Sequence, residues 1–304
     1  MKINKKIKIF ITGGSGFISQ HLIKRLLKNP FYEIILLQST KSNKNFNLNK
    51  NVKYYFYDKK KFNLYSCLLK ERPNLVINSA GCFISEHQKK DLETLIKSNV
   101  IFGIRLLEAM KEAGIKNIIN TGSYWEQYYQ DGTYHPVNLY ASFKKAFQDI
   151  LQYYVEVHDF RAITLRLYDV YGPNDKRKKI MPLLQAHIGS NRILNMSPGK
   201  QYIDFIYIDD VVNSYIKAIN FIFKNNVPIN EHVDVGSGKS IQLVKFVSLF
   251  EKIYNKKIKV NFGGRSYRKR EIMKAKANIR KTKKILHWQP KVTIKQGLNK
   301  IKNS

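Results

Sequence analysis

Thr12-Gly-Gly-Ser-Gly-Phe-Ile-Ser19 is the stretch of this sequence that decides the fold. It follows a short apolar run, Ile7–Thr12, that predicts a buried strand, and it opens a helical pattern over Gly16–Lys28. Glycines at such a junction allow a tight turn and a close approach of the backbone to a pyrophosphate. The N–H groups and the dipole of a helix N-terminus attract that anion. The stretch therefore predicts a dinucleotide site, whose expected residues are Gly13, Gly16, Phe17 and Ile18.

Strand-like and helix-like stretches alternate over the first half of the chain. The predicted strands are Ile7–Thr12, Glu33–Gln38, Val52–Tyr57, Leu75–Asn78, Asn117–Thr121 and Ala162–Leu167, and the two longest predicted helices are Leu92–Ala113 and Leu139–His158. This alternation predicts an α/β fold with a Rossmann-type, doubly wound parallel sheet. Because the pattern changes after Gly172-Pro173, we expect an NAD(P)-binding domain over 1–170 and a smaller lobe, mainly for substrate, over 171–304. Residues 204–236 are expected to return to the first domain.

The composition is strongly basic. The chain of 304 residues carries 54 Lys and Arg against 22 Asp and Glu, a formal net charge of +32, which raises the question of a polyanionic partner. The charge is mostly lysine, spread among Asn, Ile, Tyr and Phe residues, and all of these have codons rich in A and T. We therefore interpret it as a solvated surface without a dedicated nucleic-acid partner, and we keep polyanion binding as the alternative.

The two cysteines and the apolar runs narrow the class of protein further. Cys67 and Cys82 match neither a disulfide framework nor a metal site, so we expect no metal and a reducing cytoplasm. No apolar run approaches the ~20 residues that a membrane-spanning helix needs.

The end of the second predicted strand bears on the choice of cofactor. An acid there would bind the ribose 2′-hydroxyl and repel a 2′-phosphate, but the chain has Gln38-Ser-Thr-Lys41. We therefore favour NADP(H) over NAD(H), with Ser39 and Lys41 as contacts; the alternative is that Lys41 is an ordinary loop lysine. Asp58, after the third strand, would accept a hydrogen bond from the adenine amino group or else cap the next segment. Ala80, after the fourth strand, completes the expected cofactor site.

A candidate catalytic group lies in the second half of this domain. Tyr140 and Lys144 are four residues apart in a predicted helix, so the phenol and the ammonium share one face. The ammonium favours the phenolate and lowers the tyrosine pKa from ~10, which suits proton transfer to or from an alcohol oxygen. Ser123, at the end of the fifth strand, can donate to a carbonyl oxygen, and Asn99 can hold a water that relays protons to Lys144. Each residue taken alone also has an ordinary structural interpretation: Ser123 as a capping residue, Tyr140 as part of the core, Lys144 as a surface lysine and Asn99 as a solvated asparagine.

Motifs along nearly the whole chain carry a family resemblance. They are Thr12-Gly-Gly-Ser-Gly-Phe-Ile18, Asn78-Ser-Ala-Gly81, Ser123, Tyr140 with Lys144, Arg166-Leu-Tyr-Asp-Val-Tyr-Gly-Pro173, Asp204-Phe-Ile-Tyr-Ile-Asp-Asp210, Val235-Gly-Ser-Gly238 and Leu286-His-Trp-Gln-Pro290. In order and spacing they resemble the extended short-chain dehydrogenase/reductase family, which includes nucleotide-sugar epimerases, dehydratases and reductases. The resemblance implies that the first lobe binds NAD(P) and the second a nucleoside-diphosphate sugar. It also implies a homodimer formed through the two long helices. The alternative is that the apolar stripes of these helices pack on the sheet of the same chain.

The segments outside these motifs distinguish the branches of the family. Sugar 4,6-dehydratases carry an Asp-Glu pair directly after the catalytic Ser or Thr, whereas Ser123 is followed by Tyr124-Trp-Glu126. The surrounding sequence is more similar to the reductases that make CDP-abequose and CDP-paratose for surface lipopolysaccharide. Those enzymes reduce the 4-keto group of a CDP-3,6-dideoxyhexulose with NADPH. An epimerase that keeps NAD+ tightly bound is the alternative, and a dehydratase is disfavoured because the acidic pair is missing.

The same resemblance places the substrate in the second lobe. The substrate-binding residues that it implies are Lys178, Lys179 and Asp204 in that lobe, and Trp125 and Asp169, which come earlier in the chain. Asp169 stands where many family members have an asparagine that helps to bind the diphosphate. A carboxylate would repel phosphate unless it were paired, for which Lys178 and Lys179 are the candidates.

Overall fold

The computed structural model describes residues 6–39, 51–58 and 62–304, and these fall into two compact units. Unit 1 comprises Met1–Ser123, Asn138–Arg166 and Tyr215–Val233, and unit 2 comprises Tyr124–Val137, Leu167–Ser214 and Asp234–Ser304. The domain boundary expected at residue 170 stays a prediction.

The strands of the described residues are mostly short. They are β1 (Ile7–Thr12), β2 (Tyr32–Ser39), β3 (Val52–Tyr57), β4 (Leu75–Asn78), β5 (Asn117–Ser123), β6 (Arg161–Leu167), β7 (Asp169–Tyr171), β8 (Leu194–Met196), β9 (Tyr202–Ile203), β10 (Phe205–Tyr207), β11 (Ile229–Val235), β12 (Ile241–Gln242) and β13 (Val260–Phe262). The central sheet has seven strands in the order β11-β6-β5-β4-β1-β2-β3.

The helices connect these strands. They are α1 (Phe17–Leu26), α2 (Leu64–Glu71), α3 (Leu92–Ile96), α4 (Phe102–Glu112), α5 (Leu139–His158), α6 (Ile180–His187), α7 (Ile208–Lys224), α8 (Leu243–Tyr254), α9 (Arg280–Leu286) and α10 (Ile294–Lys302). None of the helices in the described ranges is long and apolar enough to span a membrane.

The sheet confirms the fold predicted from the sequence. Strand β1 pairs in parallel with β2 on one side and with β4 on the other, and the pairs β2–β3 and β4–β5 are also parallel. Because β3 follows β2 outward on one side and β5 follows β4 on the other, the chain winds in both directions from β1, as in a Rossmann-type sheet. The carboxyl ends of β1, β4 and β5 therefore meet at one edge, which is where such sheets bind ligands.

One hydrophobic core holds helices against this sheet. Phe10, Val76 and Ile118 from the strands pack in one cluster with Leu106 of α4 and Phe147 of α5, and all five are at most 2% exposed. Burial of apolar side chains in such a cluster is the main favourable term in folding.

The long helix predicted over Leu92–Ala113 is interrupted. Helix α3 is followed by a single π-helical turn, Lys97–Ile101, before α4 begins. The side-chain amide of Asn99 within this turn donates to the carbonyl of Leu95 at 2.9 Å and to that of Cys82 at 3.0 Å. A side chain that competes for backbone groups in this way distorts a helix locally, and π turns are frequent at functional sites.

Unit 2 is held together partly by buried polar contacts. The Asp210 carboxylate accepts hydrogen bonds from the N–H groups of Lys291 and Val292, and the Asp210 carbonyl accepts one from the indole of Trp288. These contacts anchor the segment that precedes α10.

Candidate active site

The glycine turn after β1 packs directly against the loop after β4. Gly13 has a φ of +68°, and a Cβ at this position would lie 2.9 Å from the nitrogen and Cα of Ala80. Both the backbone conformation and the space therefore require glycine. The N–H of Gly16 donates to the Gly13 carbonyl at 2.9 Å and closes the turn. Gly13, Gly16 and Ala80, which the sequence placed in one cofactor site, do lie together.

The N-terminus of α1 has the features of an anion site. The helix begins at Phe17 after an exposed Gly16, its first turn holds no acid, and among the described residues no side chain caps it. Ser19, which stands where the third glycine of the motif is usual, is fully buried and donates to the Ser79 hydroxyl at 3.2 Å. This end of the fold therefore fits the pyrophosphate of a dinucleotide.

A ladder of buried polar side chains crosses the edge of the sheet beside this turn. The Thr12 hydroxyl donates to the Asn78 amide oxygen at 2.9 Å, and Asn78 donates to Asn120 at 3.3 Å. Asn120 in turn donates to the Thr164 hydroxyl at 3.3 Å. The Thr12 oxygen also accepts the N–H of Ala80 at 3.1 Å. The ladder thus ties the carboxyl ends of β1 and β4 to the middle of β5 and of β6.

The Tyr140 and Lys144 side chains share one face of α5. Asn138 caps this helix by accepting the N–H of Ala141 at 3.0 Å, so Tyr140 sits in the first turn. Tyr140 is half-buried, Lys144 is 5% exposed, and the Lys144 Nζ lies 5.9 Å from the centroid of the Tyr140 ring. Ser123, 9% exposed, is the last residue of β5. The arrangement on α5 is the one expected from the sequence, and the catalytic roles stay predictions.

Asn99 and Lys144 converge on the backbone of Gly81. A Cβ at Gly81 would lie 2.9 Å from the Asn99 Oδ1 and 3.3 Å from the Lys144 Nζ. The Asn99 Oδ1 also accepts the N–H of Cys82 at 3.2 Å. The asparagine is therefore held in place by the loop after β4 and meets the buried lysine there, as a proton relay would require.

The remaining cofactor residues flank β2 and β3. Ser39 is the exposed last residue of β2. Asp58 follows β3, where its N–H donates to the Phe56 carbonyl and its own carbonyl accepts from Phe62. Lys41, on which the preference for NADP(H) partly rests, lies outside the described residues.

In unit 2, the Asp169 carboxylate has two partners that offset its negative charge. Its Oδ1 lies 3.1 Å from the Nζ of Lys179, and its Oδ2 accepts the Tyr124 hydroxyl at 2.5 Å. Burial, together with the adjacent Asp169 carboxylate, raises the pKa of Tyr124 well above its usual value, so the phenol stays a donor. Of the two lysines considered as partners, Lys179 forms the pair, whereas Lys178 is exposed.

Asp204 holds backbone segments of unit 2 together. Its fully buried carboxylate accepts hydrogen bonds from the N–H groups of Ser237, Gly238 and Ala277, and one more from the Ser237 hydroxyl. Burial raises the pKa of Asp204, and these hydrogen bonds oppose that shift. They give the residue a structural role, and its expected contact with substrate stays a prediction.

Comparison with known proteins assigns the chain to a family. Residues 9–236 match the NAD dependent epimerase/dehydratase family. The CDP-abequose synthase of Salmonella muenchen is 30% identical over 303 residues, which cover 99% of this chain and 98% of the relative. The chain belongs to the NAD dependent epimerase/dehydratase family. The resemblance to extended short-chain dehydrogenases/reductases is thereby confirmed, and with it the class of NAD(P)-dependent nucleotide-sugar enzymes.

Solved structures agree with the fold of this family. The UDP-glucuronic acid 4-epimerase of Bacillus cereus, in complex with UDP-glucuronic acid and NAD, aligns with a TM-score of 0.85 at 23% identity. The UDP-glucose 4-epimerase of Thermotoga maritima, with UDP-glucose, aligns with a TM-score of 0.84 at 23% identity. Each alignment covers 98% of both chains.

Phe83 is a further candidate residue of the active site, and the sequence alone did not single it out. Its ring packs edge-on against Tyr140 with centroids 5.1 Å apart, although 47% of Phe83 is exposed. The Asn138 amide donates to the carbonyls of Ile84 and Ser85 and so ties the same loop to the start of α5. In the sequence, the feature that could have pointed to Phe83 is an aromatic residue two positions after Gly81.

Arg268 is a second candidate that was missed. Its guanidinium lies 5.3 Å from the Trp125 ring centroid, and its Nε is buried without a hydrogen-bond partner among the described residues. Arg270 stacks similarly over Tyr128 at 4.6 Å. In the sequence, the feature that could have pointed to Arg268 is the basic run from Arg265 to Arg270. Within the described ranges no group of His, Cys, Asp and Glu side chains could hold a metal ion.

Proposed function

We propose that this chain reduces the 4-keto group of a nucleoside-diphosphate-linked deoxyhexulose with NADPH, and that a CDP-linked dideoxyhexulose is the first substrate to test. The observation that carries the proposal is the convergence of Asn99 and Lys144 on Gly81, beside the dinucleotide turn, with the Tyr140 ring centroid 5.9 Å from the Lys144 Nζ. The CDP-abequose synthases of Salmonella muenchen and Yersinia pseudotuberculosis, 30% and 29% identical to this chain, support the substrate class and a role in surface-polysaccharide synthesis.

In the proposed reaction Tyr140 is the proton donor. When bound, the reduced nicotinamide supplies a hydride for C4 of the sugar. The Tyr140 phenol donates its proton to O4, so the C=O double bond becomes an H–C–O–H group and Tyr140 is left as a phenolate. The Ser123 hydroxyl donates a hydrogen bond to the same oxygen and stabilises the negative charge that develops there.

Lys144 and Asn99 support that proton transfer. The Lys144 ammonium is buried near the phenol, and charge interactions are stronger away from bulk water, so it stabilises the Tyr140 phenolate. Lys144 is also expected to bond the nicotinamide ribose. Asn99, fixed by Cys82 and Leu95, would hold the water through which Tyr140 is reprotonated.

The preference for NADPH rests on the end of β2, where no acid stands to bind a ribose 2′-hydroxyl. The expected contacts are Gly13, Gly16, Phe17, Ile18, Ser39, Lys41, Asp58 and Ala80. Comparison of the dissociation constants for NADPH and NADH tests this preference, which tighter binding of NADH would contradict.

The substrate diphosphate is proposed to bind in unit 2. Asp169 would not oppose it, because Lys179 neutralises the carboxylate and Tyr124 donates to it. Trp125 offers a ring for the sugar or base. The Nη1 of Arg268 lies 3.8 Å from Glu271, while its buried Nε has no hydrogen-bond partner among the described residues and would be a donor to substrate. Lys178 and Asp204 complete the proposed set.

A substrate panel tests the proposal. Purified protein is mixed with NADPH and with CDP-, dTDP- or GDP-linked 4-keto sugars, and the loss of reduced-nicotinamide absorbance is followed. We expect the fastest turnover with the CDP-3,6-dideoxyhexulose and an alcohol at C4 of the product. No turnover with any of the three classes would contradict the proposal.

The second candidate function is a 4-epimerase that keeps NAD+ bound and returns the hydride to the same sugar. The similar solved structures include 4-epimerases crystallised with NAD, which favours this candidate. Purified protein that carries NAD+ and interconverts C4 epimers without added reductant would establish it. A 4,6-dehydratase is less well supported, because Ser123 is followed by Tyr124-Trp-Glu126 and not by an adjacent Asp-Glu pair, and Glu126 is only 3% exposed.

We also propose a homodimer formed through the α3–α4 region and α5. Tyr153 and Val157 on α5 are 52% and 55% exposed, and Ile96 and Ile101 are 40% and 37% exposed. Large apolar side chains exposed in this way often mark an interface. Light scattering should give twice the chain mass, and a monomeric mass would exclude the dimer.

A further inference from the structure

A basic pocket of unit 2 lies apart from the residues assigned above to the catalytic site. It encloses about 650 Å³, within the range of small-molecule sites. Four cationic side chains line it: Lys239, Lys276, Arg280 and Lys283. We infer that this pocket binds an oligophosphate, that is, a ligand with two or more adjacent phosphates such as pyrophosphate or a nucleoside triphosphate. This inference goes beyond the proposed reductase function.

The charged side chains that line the pocket are all cationic. Its four cations come from three segments, namely the loop after β11, the stretch before α9, and α9 itself. None of the described residues that line the pocket is acidic. Elsewhere in unit 2, lysines pair with carboxylates, as Lys179 does with Asp169 and Lys257 with Glu251. Cations that converge on a concave surface without a carboxylate raise the local concentration of anions.

The walls of the pocket are fixed by the buried Asp204. Its carboxylate accepts the N–H groups of Ser237 and Gly238 on one wall and that of Ala277 on the other, all within 2.9 Å. The Thr282 hydroxyl donates to the Asp234 carbonyl at 2.6 Å and so links α9 to β11. Because these segments are already ordered, a ligand would lose little free energy in ordering them.

The chemistry of the lining favours a compact polyanion. Lysine ammonium groups bind phosphates as point charges, and an arginine adds a planar fork of donors. Ile279 and Pro290 add apolar surface, while Asn278 and Gln289 add amides that could contact a base. An extended nucleic acid would need a basic stripe that continues beyond one pocket, whereas these four cations face a single concavity.

Calorimetric titration of the full chain with pyrophosphate, tripolyphosphate and ATP, at near-physiological salt, tests the inference. No other nucleotide is added, because NADPH and CDP themselves carry adjacent phosphates and would compete for the pocket. Any binding at the cofactor and substrate sites is common to the parent and both variants, so a loss confined to the pocket variant reports on the pocket. The pocket variant is Lys239→Ala/Lys276→Ala/Lys283→Ala. The control Lys245→Ala/Lys252→Ala/Lys259→Ala removes three exposed lysines of the same unit outside the pocket and lowers the net charge equally.

We expect the pocket variant to bind the oligophosphates at least about tenfold more weakly, and the control to bind within about twofold of the parent. Equal loss in both variants would show diffuse attraction and overturn the inference, as would the absence of binding by the parent. Tighter binding of duplex DNA or of phosphatidylserine vesicles at the same salt would overturn it in favour of a macromolecular partner. Ketoreductase activity should persist in both variants, so the two proposals can fail separately.

Discussion

Asn99 Oδ1 and Lys144 Nζ approach the same point beside Gly81. A methyl group placed there would lie 2.9 Å from the first atom and 3.3 Å from the second. A water molecule or a ribose hydroxyl would reach both groups only while that space stays open, so we expect glycine at this position to serve the proposed site as well as the packing.

Gly81→Ala should therefore impair turnover without unfolding the protein. Gly81 is not among the residues with positive φ, so alanine tests space rather than backbone strain. We expect kcat to fall about tenfold or more, because a misplaced catalytic group loses alignment. Steady-state kinetics and a thermal melt would measure both effects. If the loss acts through Asn99, the double variant Gly81→Ala/Asn99→Ala should be no slower than Asn99→Ala alone.

Tyr140→Phe should abolish most of the activity and leave NADPH binding nearly intact. Loss of a positioned proton donor costs about 100-fold to 10,000-fold in rate. The matched control is Tyr153→Phe, which removes an exposed hydroxyl from the same helix and should keep full activity. Full turnover by the Tyr140 variant would rule out the proposed mechanism.

Phe83 should act as a positioning residue for that phenol. Phe83→Ala removes the ring that packs edge-on against Tyr140 at 5.1 Å. We expect kcat to fall several-fold and Phe83→Tyr to restore it, since aromatic pairs of this geometry contribute about 0.5–1.5 kcal/mol. A change in KM alone, with kcat unaltered, would indicate a contact with substrate instead.

The buried amide pair of Asn78 and Asn120 should be important for stability. Asn120→Leu would remove the acceptor of the Asn78 side-chain N–H and the donor to the Thr164 hydroxyl, at a cost of about 2–4 kcal/mol in the free energy of unfolding. Asn261→Leu breaks an exposed pair with Asn195 and provides the control, with an expected change below about 0.5 kcal/mol. Urea unfolding measures the free energy of unfolding of both variants. Similar losses for the two would contradict the importance of the buried pair.

The sequence sufficed for the parts of the site that depend on local pattern. The Gly13 turn and the spacing of Tyr140 and Lys144 follow from a strand–helix junction and from helical periodicity, which are local properties. The π turn at Asn99 depends on Cys82, seventeen residues away, and Arg268 meets Trp125 only after unit 2 has folded. Contacts between distant segments leave no periodic signal, so these could not be predicted.

Glu71 gives a pH dependence of stability with a defined sign. Burial raises the pKa of this carboxyl, but hydrogen bonds from Tyr55 and Lys53 outweigh it and lower the pKa below 4.5. A lowered folded-state pKa means that the stabilisation is present above the unfolded-state pKa and disappears as the pH falls through the folded-state value. Glu71→Gln should cost about 1–3 kcal/mol near neutral pH, and the difference from the parent should shrink below pH ~4. A difference that grew in acid would contradict this sign.

Asp169 and Lys179 should be coupled in substrate binding. Lys179→Met removes the cation beside the Asp169 carboxylate and leaves the Tyr124 hydroxyl as its partner among the described side chains, so its charge would oppose a diphosphate nearby. We expect KM for the nucleotide sugar to rise about tenfold with little change in kcat, whereas Lys178→Met, which removes an exposed neighbour, should have a smaller effect. The double variant Asp169→Asn/Lys179→Met should recover most of the loss, because the unpaired charge is gone. If its KM were instead as high as that of Lys179→Met, Lys179 itself would contact the substrate, and neutralisation of Asp169 would not be its role.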